Sequence, residues 1–194
     1  RVHLELGGKS AHILLDGDNL DMAAPALAAP TFFHSGQGCA MGTRVLVPRA
    51  IADKAVEKMV AFVGNRDIVK VGNPADPGCL MGPVVREERR RAIEGYIESG
   101  IQQGAKLATG GKRPAGLDTG YFLEPTIFAD VDNRLKIARE EIFGPVVTVT
   151  PYSDLDEAIR IANDSDYGLA AMITGTDQVK AVEIGRQLRT GNVW

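Results

Sequence analysis

The sequence predicts an α/β domain, and two observations carry that prediction. Apolar residues recur at a spacing that switches repeatedly between two and 3.6, so strand-like and helix-like stretches alternate along the chain. Gly- and Pro-rich clusters punctuate the switches, as at Gly72-Asn73-Pro74-Ala75-Asp76-Pro77-Gly78 and Gly110-Gly111-Lys112-Arg113-Pro114. No internal repeat, low-complexity tract or composition shift divides the 194 residues, a length that suits one domain.

The chain opens on Arg1-Val2-His3-Leu4-Glu5-Leu6, whose alternation reads as a strand. A helix is expected over 20–33, and a second over 50–63. Ile51, Ala55, Met59 and Phe62 in the latter share one helical face behind Pro48. The third helix, 86–103, carries Ile93, Tyr96, Ile97 and Ile101 on one side. Two more follow at 154–163, capped by Ser153 or Asp154, and at 177–188. Strands are expected at 44–47, 106–109, 122–127, 145–149 and 169–173. Another strand begins at Gly191-Asn192-Val193-Trp194. A chain that starts and stops inside elements is expected to be a domain of a longer protein.

Composition narrows the function classes. With 22 basic and 25 acidic residues the formal net charge is -3, which gives no electrostatic reason to expect nucleic acid or an anionic membrane as partner. No stretch approaches the roughly 18 uninterrupted apolar residues of a membrane span. Two cysteines, Cys39 and Cys79, are too few for a disulfide framework, so a reducing, cytoplasmic setting is expected. His3, His12 and His34 have no partner at metal-ligand spacing, and no metal site is expected. Gly8-Lys9-Ser10 resembles the tail of a phosphate-binding loop, but His3 stands where that motif requires glycine, and no dinucleotide-binding glycine fingerprint follows a strand.

Three local features carry candidate chemistry. In Gly36-Gln37-Gly38-Cys39-Ala40-Met41-Gly42, glycines free the backbone around one thiol, whose thiolate would be a nucleophile and whose neighbouring N–H groups would face an oxyanion. The other reading is a buried structural cysteine in a glycine-rich turn. In Leu4-Glu5-Leu6-Gly7-Gly8, Glu5 is either a desolvated base or a solvated strand-terminal charge, and the two glycines give it room to change position. In Glu140-Glu141-Ile142-Phe143-Gly144-Pro145, an acid two residues from an aromatic suits a ribose diol and a planar ring. It equally suits a helix-ending turn with a core phenylalanine.

Taken in order, these three motifs resemble the aldehyde dehydrogenase superfamily, and the separation of 34 positions from Glu5 to Cys39 looks like that family's base-to-nucleophile spacing. Gly72-Asn73-Pro74, Met81-Gly82-Pro83, Gly120-Tyr121-Phe122, Tyr167-Gly168-Leu169 and Thr190-Gly191-Asn192-Val193-Trp194 extend the resemblance over the whole chain. Ala11 departs from it, at a position where many members have proline.

The resemblance implies a three-layer α/β/α catalytic domain with a largely parallel sheet over 1–194, without the cofactor-binding domain and with the C-terminal oligomerisation arm truncated. It implies oxidation of an aldehyde to a carboxylic acid with NAD or NADP, in a homo-oligomeric parent protein, dimer or tetramer. Cys39 would form a thiohemiacetal and then a thioester, its backbone N–H facing the oxyanion. Glu5 would activate the hydrolytic water, Glu141 would bind the nicotinamide-side ribose, and Phe143 would pack near the nicotinamide. The family's side-chain oxyanion donor lies upstream, so the 194 residues alone are expected to be inactive. Two other readings stand beside this one. An acyl-transferring relative would pass the acyl group to coenzyme A or phosphate, and Glu5 speaks against it. A non-catalytic binding module would need neither Cys39 nor Glu5. Ester hydrolysis at Cys39 would be a side reaction of the same site.

Overall fold

Neighbouring residues in the strands are apolar and face opposite ways, and this makes the domain three layers thick. Val45 and Val47 pack on one face of the sheet and Leu46 on the other. The same parity separates Leu14 from Ile13, and Val147 and Val149 from Val146. A strand apolar on both sides is stable only when helices cover both faces.

A computed structural model describes residues 1–17 and 19–194. In chain order the elements are β1 (Ala11–Leu14), α1 (Leu20–Phe32), β2 (Arg44–Pro48), α2 (Ala52–Gly64), α3 (Glu87–Gln102), β3 (Lys106–Thr109) and β4 (Thr126–Ala129). There follow α4 (Lys136–Arg139), β5 (Val146–Tyr152), α5 (Leu155–Asn163), β6 (Ala170–Thr174), α6 (Gln178–Gly185) and β7 (Asn192–Val193). One seven-stranded sheet runs β3-β4-β5-β2-β1-β6-β7. Every neighbouring pair is parallel except β3 with β4, so the expected α/β/α architecture with a largely parallel sheet is what forms.

Helices α1 and α2 cover one face, with Leu27, Phe32 and Met59 fully buried against Val45, Val47 and Val147. Helices α5 and α6 cover the other through Ala158, Ile161 and Ile184. Near the β4 end, Ile93 and Ile97 of α3 meet Phe128, Ile137 and Val146. Capping follows the sequence: Asp154 accepts the Glu157 N–H at 2.8 Å and Asp177 accepts the Lys180 N–H at 3.0 Å, so Asp154, not Ser153, caps α5.

Several expectations need correction. Residues 1–6 form no strand: the segment is extended but unpaired, with Val2, Leu4 and Leu6 largely exposed. Alternation without a partner edge does not make a sheet. The first strand is instead Ala11–Leu14, buried at every position and therefore without alternation. The strand expected at 122–127 starts four residues later, because Pro125 has no N–H for the ladder. Helix α2 begins at Ala52, after a 3-10 turn over Arg49–Ile51, and the helix end expected near Arg139 closes a helix of one turn, α4.

One buried charge ties the layers together. Arg44, 2 % exposed at the start of β2, donates from Nε to the Lys9 carbonyl (3.0 Å) and from its terminal nitrogens to Asn133 Oδ1 (2.7 Å), Ile161 O (3.0 Å) and Ala162 O (2.8 Å). The last two are carbonyls of the final turn of α5, at the negative end of the helix dipole, where Ile161 O also takes the Asp164 N–H at 3.2 Å. Burial, with repulsion from Arg139, lowers the Arg44 pKa to about 10, which leaves it protonated at neutral pH. Arg44→Met keeps the volume but withdraws four hydrogen bonds from acceptors in the interior. It should lower stability by about 3 kcal/mol or more, read as a lower urea midpoint at unchanged slope.

Candidate active site

Four strands that lie side by side, β5, β2, β1 and β6, all begin at the same edge of the sheet because all four are parallel. The residues just before each therefore meet. They are Gly7-Gly8-Lys9 before β1, the Cys39 loop before β2, Glu141 to Gly144 before β5, and Tyr167-Gly168-Leu169 before β6. The site thus lies at the amino ends of the strands, opposite to the carboxyl-end crevice of most open α/β sheets.

Three glycine contacts lock the loops together. A Cβ on Gly8 would lie 2.3 Å from the Cys39 carbonyl oxygen, and one on Gly7 would lie 2.3 Å from Glu141 Oε2. A Cβ on Gly36, at φ +71°, would lie 2.0 Å from the Gly144 carbonyl oxygen. Only bare backbone allows such approach. Across the first contact the Gly8 N–H donates to Glu141 Oε1 at 3.0 Å, and the Tyr167 hydroxyl accepts the Glu141 N–H at 3.3 Å.

The cysteine loop is strained and held. His34 and Ser35, at φ 51° and 57°, precede Gly36 in the left-handed region, so three successive residues reverse the chain beyond α1. Such conformations cost about 1–3 kcal/mol each and persist only where the surroundings fix them. Here Ser35 Oγ donates to Gly82 O at 2.6 Å, Gln37 Nε2 donates to His34 O at 3.0 Å, and Gln37 Oε1 accepts the Val85 N–H at 2.9 Å. Cys39 is a free thiol, half-buried on this clamp. Among the described residues no acceptor takes up its backbone N–H.

The other candidates differ in setting. Phe143 sits at φ 53° with 36 % of its surface exposed, so it is not a core phenylalanine. The Glu5 side chain is 82 % exposed and accepts from His3 Nε2 at 2.7 Å, which makes it a solvated charge on a free-running segment rather than a desolvated one. Cys79 lies apart, in a loop where its thiol faces the Lys70 and Met81 carbonyls. Among the described residues no cluster of His, Cys, Asp or Glu is suited to a metal, and no helix is long and apolar enough to cross a membrane.

Sequence reasoning did not find Lys9, Arg44 and Tyr167, the residues that seat the motifs. The available signal was a Lys or Arg at the mouth of an otherwise apolar strand, as in Lys9-Ser10-Ala11 and Thr43-Arg44-Val45.

The family model described as the aldehyde dehydrogenase family matches residues 1–194. The chain belongs to the aldehyde dehydrogenase family. A putative aldehyde dehydrogenase of Staphylococcus saprophyticus is 46 % identical over 194 residues, and one of Staphylococcus aureus is 44 % identical. The chain spans 40 % of the length of each. Among solved structures, a Mycobacterium tuberculosis aldehyde dehydrogenase complexed with NAD+ is 48 % identical and superposes with a TM-score of 0.91 over 97 % of this chain and 38 % of its own. The aldehyde dehydrogenase KauB of Pseudomonas aeruginosa superposes at 0.93, with 44 % identity, over all of this chain and 39 % of its own. A Pseudomonas syringae aldehyde dehydrogenase mutant complexed with NAD+ and octanal also superposes at 0.93, with 38 % identity, over 97 % of this chain and 39 % of its own.

With the clamp formed, iodoacetamide at neutral pH should alkylate Cys39 faster than Cys79, as read by mass spectrometry of the two peptides. Gly36→Ala should abolish that preference and cost about 1–3 kcal/mol of stability.

Proposed function

We propose that this chain is the catalytic domain of an aldehyde dehydrogenase that oxidises an aldehyde to a carboxylic acid with NAD or NADP. Cys39 is its nucleophile and Glu5 its general base. The observation that carries the reading is the meeting of three loops at one sheet edge. There the Cys39 carbonyl rests against Gly8 while the Gly8 N–H holds Glu141.

The cofactor fits the residues present. Glu141 offers a half-buried carboxylate with one oxygen fixed by the Gly8 N–H, in a cradle that a Cβ on Gly7 would fill. Phe143 offers an exposed ring two residues away. Glu141 would accept from the ribose hydroxyls beside the nicotinamide, and Phe143 would cover the ring. When bound, the oxidised nicotinamide supplies the hydride acceptor.

The chain's own residues account for the rest. The Cys39 thiolate adds to the aldehyde carbon, forming a C–S bond while the carbonyl π pair moves to oxygen, where the Cys39 N–H meets it. After oxidation the acyl group is held as a thioester. Glu5, on the segment that enters Gly7-Gly8, takes a proton from a water molecule that attacks this thioester. The C–S bond then breaks, freeing the acid and restoring the thiolate. A glutamate in this role favours water over coenzyme A as acceptor.

Val2, Leu4, Leu6 and Phe143 are exposed, and the chain spans 40 % of the length of the curated relatives it matches. We therefore assign the remainder of the cofactor site to a domain outside these 194 residues. The same reading makes the whole protein a cytoplasmic homo-oligomer.

In the full-length protein, Cys39→Ser should abolish aldehyde oxidation. Glu5→Gln should retain a burst of reduced cofactor but slow steady turnover by about 10²- to 10⁴-fold. Free acid should be the product even with coenzyme A present; acyl-coenzyme A instead would overturn the role of Glu5. The 194 residues alone, given aldehyde and either cofactor, should show no absorbance from reduced nicotinamide.

A further inference from the structure

Helix α3 grips the loop before β5 with one of its faces. Arg89, Ile93 and Tyr96, at i, i+4 and i+7, lie on the same side of the helix. A terminal nitrogen of Arg89 donates to the Ile142 carbonyl. Ile93, fully buried, packs so close to Gly144 that a Cβ there would lie 2.5 Å from its Cδ1. The Tyr96 hydroxyl donates to Glu140 Oε2 at 2.8 Å. Burial, with that bond, pushes its pKa up to about 12, so it stays a donor at neutral pH. The three grips bracket Glu141 and Phe143, the pair assigned above to the cofactor. The chain that leads into α3 already holds the cysteine loop, through Gly82 and Val85.

Of the three grips, the Arg89 bond falls where it constrains Phe143 most directly. The Ile142 carbonyl and the Phe143 N–H share one rigid peptide plane, and φ of Phe143 is the rotation by which the chain leaves that plane. Phe143 sits at φ 53°, a left-handed conformation that a bulky residue keeps only where its surroundings fix it. Arg89 is a costly way to fill space in this place. Its Nε is buried with no hydrogen-bond partner among the described residues, whereas a methionine would fill similar room with no polar atom to satisfy.

We propose that Arg89 is a positioning residue for Phe143: by holding the Ile142 carbonyl it fixes the peptide plane from which the Phe143 ring is presented to the nicotinamide. The inference rests on the reading of Phe143 given above. The Tyr167 hydroxyl meets the Glu141 N–H one residue before Ile142, so the segment is held from both sides. Without Arg89 the plane is free to turn, Phe143 relaxes to a negative φ, and its ring leaves the cofactor.

The test uses the full-length protein, titrated in a calorimeter without aldehyde. The titrant is NAD+ or NADP+, whichever wild type binds more tightly. Arg89→Met should bind it about five- to tenfold more weakly, and Arg89→Lys, which keeps a donor of shorter reach, about two- to threefold more weakly. Phe143→Ala should weaken binding as well. The double variant, Arg89→Met with Phe143→Ala, should bind no more weakly than Phe143→Ala alone, because Arg89 acts through the ring. Losses that multiply would give Arg89 a role independent of Phe143 and overturn the proposal. Wild-type affinity in Arg89→Met would overturn it too, or in Arg89→Lys should the methionine variant not fold. The reading of Phe143 then stands if Phe143→Ala binds weakly. If Phe143→Ala binds as wild type does, that reading falls and takes the proposal with it.

Discussion

The Arg44 guanidinium is the constraint from which the rest of this domain follows. It leaves the first residue of β2 and reaches the chain entering β1, the loop after β4 and the last turn of α5. Asn133 extends the clasp by donating to Asp164, which also receives Arg139. Two arginines thereby gather the open end of α5 and fix the height at which β1 and β2 begin. A charge so deeply buried is weak evidence for stability. It is strong evidence that relative placement matters, because the four acceptors it serves are spread over three segments and a shift of register would break those bonds.

Once that height is set, the chemistry falls where the strands start. Most open α/β sheets gather their ligands at the other edge, where helix amino ends point toward the site. This domain relies on backbone instead. Glycines at positions 7, 8 and 36 let three loops approach to distances that no side chain would tolerate, and one freed N–H meets a carboxylate. The left-handed run His34-Ser35-Gly36 turns the chain out of α1 and into the Cys39 loop. The strain is held by Ser35 and Gln37, which reach residues more than forty positions away.

The sequence was read correctly where pattern and partner agreed. Helix α3, with Ile93 and Ile97 on one face, and strand β3, whose predicted and observed limits coincide, are examples. The misreadings have a common cause. Alternation in Val2, Leu4 and Leu6 looked like a strand, yet no edge is there to pair with it. Ala11–Leu14, buried on both faces, gave no alternation to see. Motif chemistry was legible because glycine, cysteine and acid stand close together in the chain. The parts that seat the motifs were not, since Lys9 and Arg44 act through partners that only the folded sheet supplies.

The bond from Gly8 to Glu141 spans 133 residues. Closing so long a loop costs entropy that is recovered only when the intervening strands have docked. The cysteine loop is therefore complete in covalent terms long before it is complete in space. During synthesis, as the chain emerges from its amino end, the thiol is made early and its cradle late. The order of the strands thus places the thiol well ahead of the loop before β5 that its own loop packs against.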